Sequence, residues 1–130
     1  MLDVTVILHL YRRPQNLQRQ IEALRAQTFP PKEIWVWINE HSDNSDLCFD
    51  YIDCDRVIDC SYNFKFFGRF AGALLADTKY VALFDDDTIP GEKWFENCVQ
   101  TYCDLEEQGY KTPILGSAGI KLNSFRYENH

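Results

Sequence analysis

Tyr80-Val81-Ala82-Leu83-Phe84-Asp85-Asp86-Asp87 is a run of five apolar residues that passes without a spacer into three acids, with Thr88, Ile89 and Pro90 after them. The apolar run reads as a strand. Alternation along a strand puts Asp85 and Asp87 on the same side, so two carboxylates converge at the strand's end and repel one another unless a cation lies between them. Ligands that are all oxygen favour a hard ion, Mg²⁺ or Mn²⁺, and such ions bridge a few carboxylates to the phosphates of a substrate. The competing account is an acidic turn at the start of the helix that begins near Glu92.

Outward from this junction, strands and helices alternate. Val4 to Leu8 is a buried strand, and Pro14 opens a helix whose Leu17, Ile21 and Leu24 fall on one stripe until Phe29-Pro30-Pro31 stops it. Ile34 to Ile38 is a second buried strand. Asn39 to Asp46 is a polar loop, a weak helix covers Leu47 to Tyr51, and Arg56 to Cys60 is a short third strand. Phe66 to Ala76 is helix-compatible and leads into the fourth strand. After the acids, Phe95, Cys98, Val99, Tyr102 and Leu105 form a helical stripe that Gly109 ends as a C′ residue. Ile114 and Leu115, and then Ile120 to Leu122, offer a final strand or two.

The expected fold class is therefore α/β, a mostly parallel sheet with helices on both faces. Ligands of such sheets bind beyond the carboxyl ends of the strands. Three polar clusters sit at those ends: Tyr11, Arg12 and Arg13; Asn39, Glu40, His41, Ser42 and Asp43; and the acid triplet. Their convergence on one edge favours a ligand site over a solvated turn.

The 130 residues are read as one domain, with 45% hydrophobic and 15% aromatic residues and no repeat. A net charge of -7 disfavours broad nucleic-acid or anionic-membrane binding, so a phosphate ligand needs a metal or local arginines. No apolar stretch approaches a membrane span and no signal peptide is visible, so the chain is expected to be cytoplasmic. The five cysteines lack a CxxC pair and are read as reduced, mostly buried thiols. His9, Trp35 and Trp37 read as core residues. Trp94, close after the acids, is a candidate to approach a sugar or acceptor.

In order and spacing, these pieces resemble the GT-A fold nucleotide-diphosphosugar glycosyltransferases, in particular the large inverting family with a DXD motif. The resemblance rests on Leu10-Tyr11-Arg12-Arg13-Pro14, on Ala26-Gln27, on Asn39-Glu40 followed by Ser42 and Asp43, on Arg69 three before Gly72, and on the strand ending in Asp85-Asp86-Asp87. It implies a nucleotide-diphosphosugar donor, most commonly a uridine diphosphate sugar, a carbohydrate or other hydroxyl acceptor, and Mn²⁺ or Mg²⁺. Tyr11 and the loop through Arg13 would line the base pocket, Glu40 would meet the base, and Arg69 would lie near base and diphosphate. Asp85 would contact the ribose near the metal, Asp87 would coordinate the cation, and Asp86 is the variable middle position of the donor-binding triplet. Arg12, Phe70 and Glu40 depart from the residues common at their positions.

An inverting transfer also needs a general base, which in this family comes from the half of the domain after the motif. No residue here is assigned that role. The chain is expected to be the donor-binding portion of a longer enzyme, the alternative being a compact version using Glu128. Gly116-Ser117-Ala118-Gly119 resembles the segment that lines the donor sugar. Asp104, Glu106 and Glu107 read as a solvated helix face. The other functions considered are a non-catalytic nucleotide-sugar-binding module, a Mg²⁺-dependent phosphatase, which Ile89 disfavours, and a nucleotidyltransferase, which lacks its Gly-rich loop here.

Overall fold

A computed structural model describes residues 2–45, 47–48 and 51–117. The chain divides into two compact units, Met1–Glu96 and Asn97–His130. The first unit holds strands β1 (Leu2–Leu10), β2 (Pro31–Ile38), β3 (Arg56–Asp59) and β4 (Tyr80–Asp85), with helices α1 (Leu17–Arg25) and α2 (Gly68–Ala73). Helix α3 (Trp94–Glu107) starts at its end and continues in the second unit.

The sheet order is β3-β2-β1-β4, and the three pairings among the described strands are all parallel. Register matters more for function than order does. Leu10 pairs with Ile38, Ile38 with Asp59, and His9 with Asp85, so β1, β2, β3 and β4 end at one level and release their loops on one edge. β1 and β2 at the sheet's centre read as largely apolar runs because both of their faces are covered, with the buried Thr5 and His9 as the polar exceptions in β1.

On one face, Val4, Val6, Leu8 and Leu10 of β1 meet Ile34, Val36 and Ile38 of β2 and Leu17, Ile21 and Leu24 of α1, with Phe84 and Phe95 completing the cluster. Fully burying each such aliphatic side chain contributes about 1.5–3 kcal/mol. On the other face, Ile7, Trp35 and Trp37 pack with Ala73, Ala76 and Leu83. Helices thus cover both faces, as the pattern of residues implies, and the two tryptophans are core.

The close seat of α2 depends on glycine. A Cβ on Gly68 would lie 2.4 Å from Nε1 and 2.5 Å from Cε2 of Trp37, and one on Gly72 would lie 3.2 Å from the same ring. The ring cannot retreat freely, because Trp37 Nε1 donates to Asn39 Oδ1 at 3.2 Å. Gly68→Ala is therefore expected to destabilise the fold by about 1–3 kcal/mol through overpacking, despite alanine's better helix propensity. Gly91→Ala serves as the control, since a Cβ there meets nothing within 4 Å. Equal urea midpoints for the two variants would refute the close-packing account.

In the second unit α3 runs on to Glu107 and ends in a Schellman motif. Tyr110 N donates to Leu105 O at 3.0 Å and Gly109 N to Glu106 O at 2.9 Å, with Gly109 at φ +88°. The expected strand at Ile114 and Leu115 does not form: Ile114 is 97% exposed. Thr112 has φ +50°, and Pro113 has no N–H to give a ladder, so the chain enters this stretch in a conformation no strand continues. Ile120 to Leu122, Ala118, Gly119 and Glu128 lie outside the described residues, as does part of the expected helix at Leu47 to Tyr51. The five cysteines are free thiols, but none is buried: Cys48 and Cys103 are exposed and the others half-buried, because they sit in loops, at strand margins and on the flank of α3.

Candidate functional site

The polar edge of the first unit is built around the Asp85–Thr88 turn. Amides on α1 and in the turn before it hold its backbone. Gln20 Nε2 donates to the carbonyls of Asp85 and Thr88, both at 2.8 Å, and Asn16 Nδ2 to that of Asp86 at 2.9 Å. Gln20 is buried among the apolar residues of the α1 stripe. A polar residue at a core position of a helix has to find a partner, and this one fixes the turn.

The three acids of the turn face different surroundings. Asp86 is 7% exposed. Its Oδ2 accepts the backbone N–H groups of Tyr11, Arg12 and Arg13 at 3.1, 2.8 and 3.1 Å, and its Oδ1 accepts Arg13 Nη1 at 3.0 Å. Burial pushes the Asp86 carboxyl upward, but the donors from Arg12, Tyr11 and Arg13 outweigh it and hold the group below its ordinary value. Asp86 is thus the clasp that ties the loop after β1 to the end of β4. Asp85 and Asp87 are each 54% exposed. Arg69 on α2 pairs with Asp85, and Arg13 Nη1 reaches Asp87 Oδ2 at 2.9 Å.

Asn39, at the end of β2, organises the opposite wall. Its Oδ1 accepts the Trp37 indole N–H and the Phe64 N–H, both at 3.2 Å, while its Nδ2 donates to Lys65 O at 2.9 Å and lies 2.9 Å from His9 Nε2. Lys65 stands in the left-handed region at φ +53°, a conformation a non-glycine residue keeps only when its surroundings hold it. Arg69 Nη2 donates to His9 Nδ1 at 3.1 Å. Burial, and then the neighbouring Arg69, lower the His9 pKa, so the ring is neutral at pH 7 and able to accept that bond.

Between these walls lies a cavity of about 400 Å³. Tyr11, Arg13, Arg69, Asp85, Asp86 and Asp87 all line it, so six of the seven residues singled out from the sequence meet there. Glu40 does not. It is exposed at the end of β2, outside the cavity lining. Trp94 also stays away, half-buried with its ring 4.9 Å from those of Phe84 and Phe95. Arg12 is a surface residue whose Nε lies 3.7 Å from Asp43. Sequence reasoning placed Asn39 in a polar cluster at this edge without giving it a role, and missed His9, Asn63, Lys65 and Phe66 as lining residues. Asn39 carried a signal, being the first polar residue after a five-residue apolar run, whereas Lys65 and Phe66 carried none.

The family profile of glycosyl transferase family 2 matches residues 5–127. The chain belongs to that family. A relative from Haloferax volcanii, a glucosyl-dolichyl phosphate glucuronosyltransferase, is 28% identical over 105 residues, which are 78% of this chain and 34% of that protein. The chain thus spans about a third of that relative's length. Among solved structures, S. aureus TarS superposes with a TM-score of 0.62 at 15% identity over 82% of this chain and 20% of its own. That likeness establishes a shared GT-A-like fold: a parallel four-stranded sheet flanked by helices. Family 2 membership sets aside the phosphatase and nucleotidyltransferase readings.

The donor set of this cavity suits a hard divalent cation. Asp85 and Asp87 are oxygen donors open to one cavity, but among the described residues no group of three or more His, Cys, Asp or Glu side chains could enclose an ion. Two carboxylates fit an ion that completes its shell with substrate and water oxygens. Among the described residues no helix is long and apolar enough to cross a membrane.

Proposed function

We propose that this family 2 domain binds a nucleotide-diphosphosugar, with a uridine diphosphate sugar as the first candidate, and takes part in transferring the sugar with inversion to a hydroxyl acceptor. The observation that carries this reading is the pairing of two exposed carboxylates, Asp85 and Asp87, with two guanidiniums, Arg13 and Arg69, around one cavity at the carboxyl edge of the sheet. A diphosphate needs that mixture. Guanidiniums bind phosphate oxygens in a fork geometry, and carboxylates present a cation between them.

Asp87 and Asp85 would hold Mn²⁺ or Mg²⁺, and the bound ion would offset the charge that develops on the departing diphosphate. Tyr11 would face the base, its ring steadied edge-on by His41 at 5.0 Å. Asp86 acts behind this layer by keeping the Tyr11–Arg13 loop in place. Glu40 keeps its assignment to the base through its position in the motif alone. The acceptor base is not assigned, and the domain is read as the donor-binding portion of the enzyme.

Calorimetry with uridine diphosphate and Mn²⁺ tests the reading. Arg69→Ala is expected to weaken binding roughly ten- to a hundredfold, the cost of about 1.5–3 kcal/mol for losing a hydrogen bond to a charged group. Glu40→Ala should cost less if the nucleotide sits within the cavity observed. Undiminished affinity in Arg69→Ala would overturn the proposed site.

A further inference from the structure

We infer that Arg13 and Arg69 are resident counter-ions of Asp87 and Asp85, which a divalent cation must displace, and that this exchange makes cation and diphosphate binding mutually dependent. The inference rests on the donor-site reading above and adds an order of charge movements to it.

Asp85 and Asp87 each face a guanidinium here, that of Arg69 and that of Arg13. Arg13 Nη1 touches Asp86 at 3.0 Å and Asp87 at 2.9 Å. Asp86 is buried and Asp87 exposed, so the first contact is an anchor and the second can be given up. Arg13 can release Asp87 without leaving the site. Arg69 has the same division. One side chain serves both the buried His9 and the exposed Asp85, and its Nε is buried with no acceptor among the described residues. Both released guanidiniums line the cavity in which a diphosphate would lie.

The Arg13–Asp87 pair has side chains about half exposed, and a pair so screened by water is weak enough to exchange. Arg69 is more deeply set than Arg13, but it keeps His9 as a second partner when Asp85 is given up. A cation arriving alone would strand two guanidiniums beside it, and a diphosphate alone would face two carboxylates. Arriving together they leave each charge with a partner, because the guanidiniums move onto the phosphate oxygens. Linkage then requires each ligand to raise the affinity of the other by the same factor.

Mn²⁺ alone and Mn²⁺ with inorganic pyrophosphate are the probes, with the free ion followed by electron paramagnetic resonance and the Mn²⁺ taken up by pyrophosphate itself subtracted from a protein-free control. The parent chain should bind Mn²⁺ more tightly when pyrophosphate is present. Arg13→Gln should bind Mn²⁺ alone about two- to fivefold more tightly than the parent, since a competing pair of up to about 1 kcal/mol is gone. It should also lose much of the gain from pyrophosphate. Arg13→Lys, which keeps the charge but not the fork, should bind Mn²⁺ alone nearer to the parent than Arg13→Gln does, and Arg69→Gln should repeat the Arg13→Gln pattern at Asp85. If both glutamine variants bind Mn²⁺ alone no more tightly than the parent, while the parent binds it normally, the exchange is refuted and the donor site stands. A parent chain that takes up no Mn²⁺ with or without pyrophosphate would refute the cation reading itself.

Discussion

Asp86→Ala is expected to destabilise the first unit by about 2–4 kcal/mol, although the middle acid of the triplet is the one the family resemblance leaves variable. The carboxylate accepts three backbone N–H groups and a guanidinium. Hydrogen bonds to a charged group contribute about 1.5–3 kcal/mol each, but they are not additive, and water can reach some of the freed N–H groups. Asp86→Asn keeps an acceptor oxygen and loses the charge, so it should fall between parent and alanine. Urea unfolding in the presence of chelator measures both, and an Asp86→Ala midpoint equal to the parent's would refute the clasp. The same group sets a pH dependence. Its folded pKa lies below the ordinary 3.8, so its contribution is fully present above that value and is lost as the pH falls toward the lower folded value. Asp86→Asn should flatten the stability curve in that acid range.

Asp87→Ala is expected to remove the dependence of nucleoside diphosphate binding on Mn²⁺ while leaving the fold intact. The side chain is exposed and meets Arg13 and Thr88 only at the surface, so its loss costs little stability. Its loss to the ligand is large. An ion held by two carboxylates is left with one, and affinity in Mn²⁺ should fall at least tenfold, to the level measured with chelator. Asp85→Ala should do the same and should also free Arg69. A variant lacking Asp87 that still binds uridine diphosphate more tightly with Mn²⁺ than with chelator would show that the cation sits elsewhere.

Much of this site was legible along the chain because a parallel sheet converts sequence position into spatial position. An apolar run with both faces covered must be central, and a polar residue right after such a run must leave the sheet at its carboxyl edge. That logic brought Tyr11, Arg13, Asp85, Asp86 and Asp87 together, and the resemblance added Arg69. It gathered Glu40 at the same edge but not into the cavity lining, since being at the right edge does not decide whether a side chain turns into the cavity or toward solvent. Trp94 misled for a similar reason. Proximity to the acids in sequence counted for less than the apolar area its ring buries against Phe84 and Phe95.

The order of the strands' polar ends, the burial of β1 and β2, and the ending of α3 at Gly109 follow from the sequence alone. These depend on local chemistry: β-branched runs, helical stripes and a residue free to take positive φ. The division of labour within Asp85-Asp86-Asp87 was decided only by tertiary structure. Alternation sets Asp86 on the side opposite Asp85 and Asp87, but it carries no signal of which side will be buried. The backbone N–H groups of the Tyr11–Arg13 loop, more than seventy residues away, draw Asp86 inward and turn Asp85 and Asp87 out to the cavity. The reason is that a carboxylate's environment is set by the donors that surround it in space, and these come from a loop that only the pairing of β1 with β4 brings near.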